Sequence, residues 1–241
     1  MKKMRFGLRK MTLLDFPGKV ACTVFTCGCN FRCPFCHNAS LVRGREEDME
    51  LSAPELFEFL ERRRKLLDGV AVTGGEPLIH AGTFELLSRI KEMGYAVKLD
   101  TNGSFPELLK KIIDSGIVDY VAMDVKSSLE NYEKLCGVPG MEEKVLQSIG
   151  LLKEGRVDYE FRTTVVAELH EVADIESAAK TIAGAKRYFL QNFTETDDLL
   201  SPGASFSGPG KEKLPAMLEA ARRYVPATEV RGVDLERGQF F

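Results

Sequence analysis

The chain has 241 residues, of which 44% are hydrophobic and 29% charged, with a net charge of −3 and no Trp. This is the balance of an ordinary globular protein, able to bury roughly three quarters of its unfolded surface without disulfides, and it argues against a nucleic-acid binder. No stretch approaches the ~18 apolar residues of a membrane span; the basic start through Lys10 lacks the apolar run and small-residue cleavage site of a signal peptide, so a cytoplasmic location is expected.

After a short N-terminal segment, Asp15-Phe16-Pro17-Gly18 reads as a turn, and residues 19–26, small and β-branched, as a buried strand. Residues 38–49 are polar and irregular. Ser52-Ala53-Pro54-Glu55 joins an N-cap residue to an early Pro and Glu and opens a helix to about Leu67. The pattern then repeats, with strands expected at 69–73, 95–99, 120–123, 159–166 and 187–191. Helices are expected at 83–93, 105–115, 129–136, 142–154, 175–183 and 212–224. Six β–α units in series require parallel strands joined by right-handed crossovers, an α/β fold. No low-complexity tract or Ser-rich linker divides them. A single domain over 1–241 is expected, with a core at about 19–192; a long loop, a last helix and a tail with a possible edge strand fill 193–241.

Four polar motifs each follow the C-terminal end of an expected strand: the cysteine loop after residue 26, Gly74-Gly75-Glu76-Pro77, Asp100-Thr101-Asn102-Gly103 and Asp124-Val125-Lys126. In barrel-type α/β folds that end is the catalytic face, so the motifs are expected to converge on one mouth. Five of the six cysteines lie between Cys22 and Cys36, a crowding that reads as metal ligation. Cys29, Cys33 and Cys36 stand at C-x3-C-x2-C spacing. A structural zinc would need a fourth ligand, Cys27 or His37, whereas a three-cysteine iron–sulfur cluster leaves one iron open. Cys22 is expected as a packed thiol, Cys27 as a bystander to the cluster and Cys136 in the core. The basic run at 61–65 reads as a solvated helix face, and His80 and His170 as surface residues.

Cys29-Asn30-Phe31-Arg32-Cys33-Pro34-Phe35-Cys36 resembles the C-x3-C-x-aromatic-C signature of the radical S-adenosylmethionine (SAM) enzymes, and the following His37-Asn38 resembles their glycyl-radical-enzyme activating subgroup. The resemblance implies a radical SAM core, a partial (β/α)6 TIM-type barrel of parallel strands. It further implies one 4Fe-4S cluster on Cys29, Cys33 and Cys36. SAM would chelate the fourth iron, and one electron would cleave it to methionine and a 5′-deoxyadenosyl radical.

Gly74, Gly75 and Glu76 are similar to the family's Gly-Gly-Glu motif, which implies backbone approach to the methionine moiety and a Glu76 that accepts from its ammonium. Asp100, Thr101 and Asn102, with Asp124 and Lys126, resemble stretches that imply contacts to the cofactor's carboxylate and ribose and a small monovalent cation near the two aspartates. Both signs of charge are expected near the zwitterion, with Glu76 and Lys126 as the pair. Arg162 is similar to an arginine beside the cofactor, Gln191 stands where relatives carry a His, and Phe35 and His37 complete the implied cofactor contacts.

Thr12-Leu13-Leu14-Asp15-Phe16-Pro17-Gly18-Lys19 is similar to the N-terminal segment of anaerobic ribonucleoside-triphosphate reductase activating proteins. The implied function is abstraction of a glycine Cα hydrogen in a partner glycyl radical enzyme, with a flavodoxin- or ferredoxin-type electron donor and neither nucleic acid nor membrane as partner. The alternatives are a radical SAM enzyme acting on a small molecule or peptide, and a non-enzymatic zinc scaffold.

Overall fold

The computed structural model describes residues 4–195, 198–201, 203–234 and 239–240. In chain order its strands and helices are β1 (Arg5–Thr12), β2 (Ala21–Thr26), α1 (Ala39–Arg43), β3 (Leu51–Ser52), α2 (Ala53–Arg63), β4 (Gly69–Gly74), α3 (Thr83–Glu92), β5 (Ala96–Thr101) and α4 (Pro106–Asp114). They continue as β6 (Tyr120–Asp124), α5 (Tyr132–Cys136), α6 (Glu142–Lys153), β7 (Asp158–Val165), α7 (Val172–Thr181), β8 (Tyr188–Asn192), α8 (Gly210–Arg222), β9 (Thr228–Arg231), β10 (Val233–Asp234) and β11 (Gln239–Phe240).

One sheet runs in the order β3-β1-β2-β4-β5-β6-β7-β8-β9. From β2 to β9 every neighbouring pair is parallel, and this open, helix-covered sheet is the partial barrel expected from the chain. The six expected strands are β2 and β4 to β8, and β9 supplies the expected edge strand. Residues 235–238 and 241 of the expected tail lie outside the described residues.

Alternation along the strands decides what lies on each side of the sheet. Val24, Val70, Val72, Val97, Leu99, Val121, Met123 and Phe161 are fully buried and pack in the main core with Leu56, Leu60, Leu86, Leu87, Ile90 and Leu109 of the helices. The opposite face carries Lys98 and Asp100 on β5, Asp124 on β6, and Glu160 and Arg162 on β7. A second small cluster of Phe16, Ala21, Tyr120 and Ala122 fills the interior at the N-terminal ends of the strands. The barrel is therefore apolar on its helix-covered side and carries charged side chains within, with Glu160 bonded to Tyr120 near the base and Lys98, Asp100, Asp124 and Arg162 toward the mouth.

Two expectations need correction, and the N-terminal segment, to which the sequence assigned no element, is a strand: β1 pairs antiparallel with β2 and β3. Its Met4 and Phe6 are buried, but Arg5, Arg9 and Lys10 between and beyond them hide the alternation in the sequence. Residues 39–43, read as irregular, form α1. His170 is not a surface residue. It is fully buried, accepting at Nδ1 from the Val166 amide (3.1 Å) and pairing through Nε2 with the Lys126 carbonyl (2.8 Å), so it fixes the turn after β6.

Candidate active site

The cysteine loop leaves β2 at the strand's C-terminal end and is tied down on three sides. Glu76 N–H donates to the Gly28 carbonyl (2.9 Å), Gly28 N–H to the Leu41 carbonyl (2.8 Å) and Arg32 N–H to the Cys136 carbonyl (2.7 Å). Polar hydrogens point at the first thiol: Phe31 N–H donates to Cys29 Sγ (3.3 Å), and Asn102 Nδ2 lies 3.9 Å from the same sulfur. Burial raises all three thiols, Cys33 to about 12. Loading metal here must therefore expel protons.

A cavity of about 260 Å³ opens beside the loop, lined by its Cys29, Cys33 and Cys36 and by Gly74, Gly75, Thr101 and Asn102 after the ends of β4 and β5. The charged row of Asp100, Asp124, Lys126 and Arg162 forms its floor, and Phe35, His37 and Gln191 also line it. The four motifs, 100 residues apart at the extremes, thus meet at one mouth. Phe31 and Asn38 of the quoted motif line it too, as do Val42, Thr73, Thr164 and Leu200, which the sequence reading did not single out. Thr73 and Thr164 carried a signal, since each lies near the C-terminal end of its strand.

Glu76 is the exception. Its side chain is fully buried and does not line the cavity: Oε1 accepts from Leu78 N–H (3.0 Å) and Thr101 Oγ1 (2.9 Å), and Oε2 from Asn102 N–H (2.6 Å). It staples the end of β4 to the end of β5 behind the glycines. Lys126 pairs with Asp124 (2.9 Å) rather than with Glu76. Burial pushes Glu76 up to about 7 against the pull of its donors. Glu76→Gln replaces one acceptor by a donor in a closed site, so we expect a loss of about 1–3 kcal/mol, checked by denaturant unfolding of the ligand-free protein.

The cavity floor is a chain of charges. Asp100 Oδ1 pairs with Lys98 and its Oδ2 with Arg162 (3.1 Å); Asp124 Oδ1 pairs with Arg162 (2.9 Å) and its Oδ2 with Lys126 (2.9 Å). Burial alone would raise both carboxyls. The cations, Arg162 foremost, outweigh it and hold Asp124 at about 2 and Asp100 below the usual range. At the side of the mouth His37 lies against Phe193 (4.5 Å between ring centroids), and burial lowers its pKa, favouring the neutral imidazole.

The cysteine loop also has an unanticipated support. Gly137 ends α5 at φ +71, and a Cβ there would lie 2.4 Å from the Arg32 carbonyl oxygen. Gly137→Ala adds left-handed strain and a backbone clash, together about 2–4 kcal/mol. Gly116→Ala, at φ +67 with open space around it, is expected to cost only the strain, about 1–2 kcal/mol. Thermal unfolding of the two variants side by side checks the difference.

The residues fit the cluster and the SAM implied for this mouth. Three thiols on one loop suit a cubane cluster, and the polar cavity beside them offers both signs of charge to a zwitterion. No helix among the described residues is long and apolar enough to cross a membrane.

Comparison with known proteins agrees. Residues 23–181 match the family model of the radical SAM superfamily. A putative glycyl-radical enzyme activating enzyme of Methanocaldococcus jannaschii is 30% identical over 97% of this chain and 98% of its own length. A pyruvate formate-lyase-activating enzyme of Clostridium pasteurianum is 33% identical over 50% of this chain and 51% of its own. Among solved structures, a domain of a pyruvate-formate lyase-activating enzyme from Bacteroides vulgatus superposes with a TM-score of 0.56 at 20% identity, covering 68% of this chain and 99% of that one. With the three-cysteine loop, the glycine turn and the charged floor meeting at one barrel mouth, the chain belongs to the radical SAM superfamily, on its glycyl-radical enzyme activating branch.

Proposed function

We propose that the protein activates a partner enzyme by abstracting the Cα hydrogen of one of its glycines, and that the partner is an anaerobic ribonucleoside-triphosphate reductase. Cys29, Cys33 and Cys36 would hold a 4Fe-4S cluster and the adjoining cavity would hold SAM, which together would supply the hydrogen-abstracting chemistry on receipt of an electron from a flavodoxin- or ferredoxin-type donor. The protein's own residues bind and orient. Gly74 and Gly75 offer backbone at close range, Lys126 and Arg162 face an anionic carboxylate, and Asn102 directs an amide toward the Cys29 sulfur. His37 and Phe193 pack together at one side of the mouth.

The observation that carries the reading is a side entrance. A second cavity of about 240 Å³ shares His37, Thr164 and Gln191 with the first and runs outward past Asn192, Thr194, Arg231 and Gly232. It lies by the C-terminal ends of β7, β8 and β9, on the side from which a glycine-bearing loop of the partner would approach the first cavity. Gln191 stands at the junction of the two cavities, a position suited to the adenosyl end of the cofactor. The test is anaerobic incubation of the reconstituted, reduced protein with SAM and the candidate reductase, read by electron paramagnetic resonance. A glycyl signal is expected on the reductase; cofactor cleavage without any glycyl signal on that or another glycyl radical enzyme overturns the proposal.

A further inference from the structure

The two floor carboxylates do not fit the small monovalent cation that the family resemblance implies for them. All four oxygens of Asp100 and Asp124 are already engaged by side-chain cations of the chain itself. We infer that the Lys98 ammonium is a resident cation that takes the place of a bound metal ion beneath the SAM site, so that SAM binding needs no potassium or sodium. The inference rests on the assignment of this cavity to SAM.

Lys98 is an unusual residue for its place. It sits inside β5, two positions before Asp100 and so on the same face of the strand, and is only 2% exposed. Burying a lysine there is costly unless its charge is used, and its one ion-pair partner among the described residues is Asp100. Arg162 then bridges the remaining Asp100 oxygen to Asp124, and Lys126 closes the row. Three cations therefore serve two carboxylates.

The next carboxylate, Glu160, does not cancel the excess. It is fully buried and held by Arg231 at both oxygens (2.7 and 2.9 Å) and by Tyr120 (2.8 Å). Glu76 is engaged elsewhere, by Leu78 N–H, Thr101 Oγ1 and Asn102 N–H behind the glycines. Within the row itself the cations Lys98, Arg162 and Lys126 therefore exceed the carboxylates Asp100 and Asp124 by one, beneath a cavity that must receive a carboxylate, which is the electrostatic service a bound cation would give. A fixed ammonium provides it without depending on the ions in solution. Lys98 acts through Asp100 and is a positioning residue, not a catalytic one.

The test measures the SAM dissociation constant of anaerobically reconstituted protein by equilibrium dialysis, in potassium, sodium and tetramethylammonium chloride at equal ionic strength. The wild-type protein is expected to bind equally in all three, within about twofold. Lys98→Met is expected to bind about tenfold more weakly in tetramethylammonium and to recover in potassium or sodium, as a small cation enters the vacated place. Wild-type binding that requires potassium or sodium overturns the resident-cation inference and leaves the radical SAM site standing. A Lys98→Met protein with unchanged affinity in every salt overturns it as well, and absence of SAM binding in every salt overturns both readings. If Lys98→Met does not fold, the wild-type series decides alone.

Discussion

Anaerobically reconstituted protein is expected to hold about four irons per chain and to lose them when Cys29, Cys33 or Cys36 is replaced by Ala. Cys22→Ala, Cys27→Ala and Cys136→Ala are expected to keep them. The distinction follows from position: the first three thiols line the cavity, whereas Cys22, Cys27 and Cys136 are buried and do not line it. Cys136 supports the loop through its carbonyl, which accepts the Arg32 amide and survives substitution by Ala. SAM cleavage should fall by about a thousandfold or more in the three cavity variants. Iron analysis and visible absorption check the first effect, and chromatographic assay of the cleavage products the second. Cluster loss in Cys27→Ala with retention in Cys29→Ala would mean that the loop binds metal in a different register.

A single methyl group added at Gly75 is expected to be nearly as damaging. Its Cβ would fall 1.8 Å from the Gly28 carbonyl oxygen and 3.4 Å from Cys29 Cβ, so the glycine turn and the cysteine loop cannot keep their present spacing. Two hydrogen bonds hold that spacing, Gly75 N–H to the Thr26 carbonyl and Glu76 N–H to the Gly28 carbonyl, each 2.9 Å. Relief requires moving backbone on one side or the other. We expect Gly75→Ala to destabilise the fold by about 3 kcal/mol and to lower the iron retained on reconstitution. Gly94→Ala, with open space around it and φ +89, should cost only backbone strain and leave iron binding unchanged. Unfolding curves and iron content of both variants check this.

Much of this site was legible because its parts follow strand ends. Runs such as 69–73 and 120–123 are apolar enough to mark strands, and the polar residues right after them had to meet at the mouth of a parallel barrel. That the Glu76 side chain turns away from the cavity was not legible, because a motif shows which residues are present but not which way a side chain turns; here three donors from two strand ends capture the carboxylate. Gly137 and the Cys136 carbonyl were invisible because a backbone clamp from a helix 100 residues away leaves no mark on side-chain chemistry. Lys98 did carry a signal. A lysine two residues before an aspartate in an otherwise apolar strand shares its face, as Glu160 and Arg162 do on β7, and such alternation marks a charged barrel interior.

The most direct test of the central claim, that this mouth holds a three-thiolate cluster with an open iron that takes SAM, is electron paramagnetic resonance of the reduced, reconstituted protein before and after SAM is added. A 4Fe-4S signal that changes shape on addition, and no longer does so in Lys126→Ala, is the predicted result. A protein that retains stoichiometric zinc without iron, or a cluster signal indifferent to SAM, would contradict it.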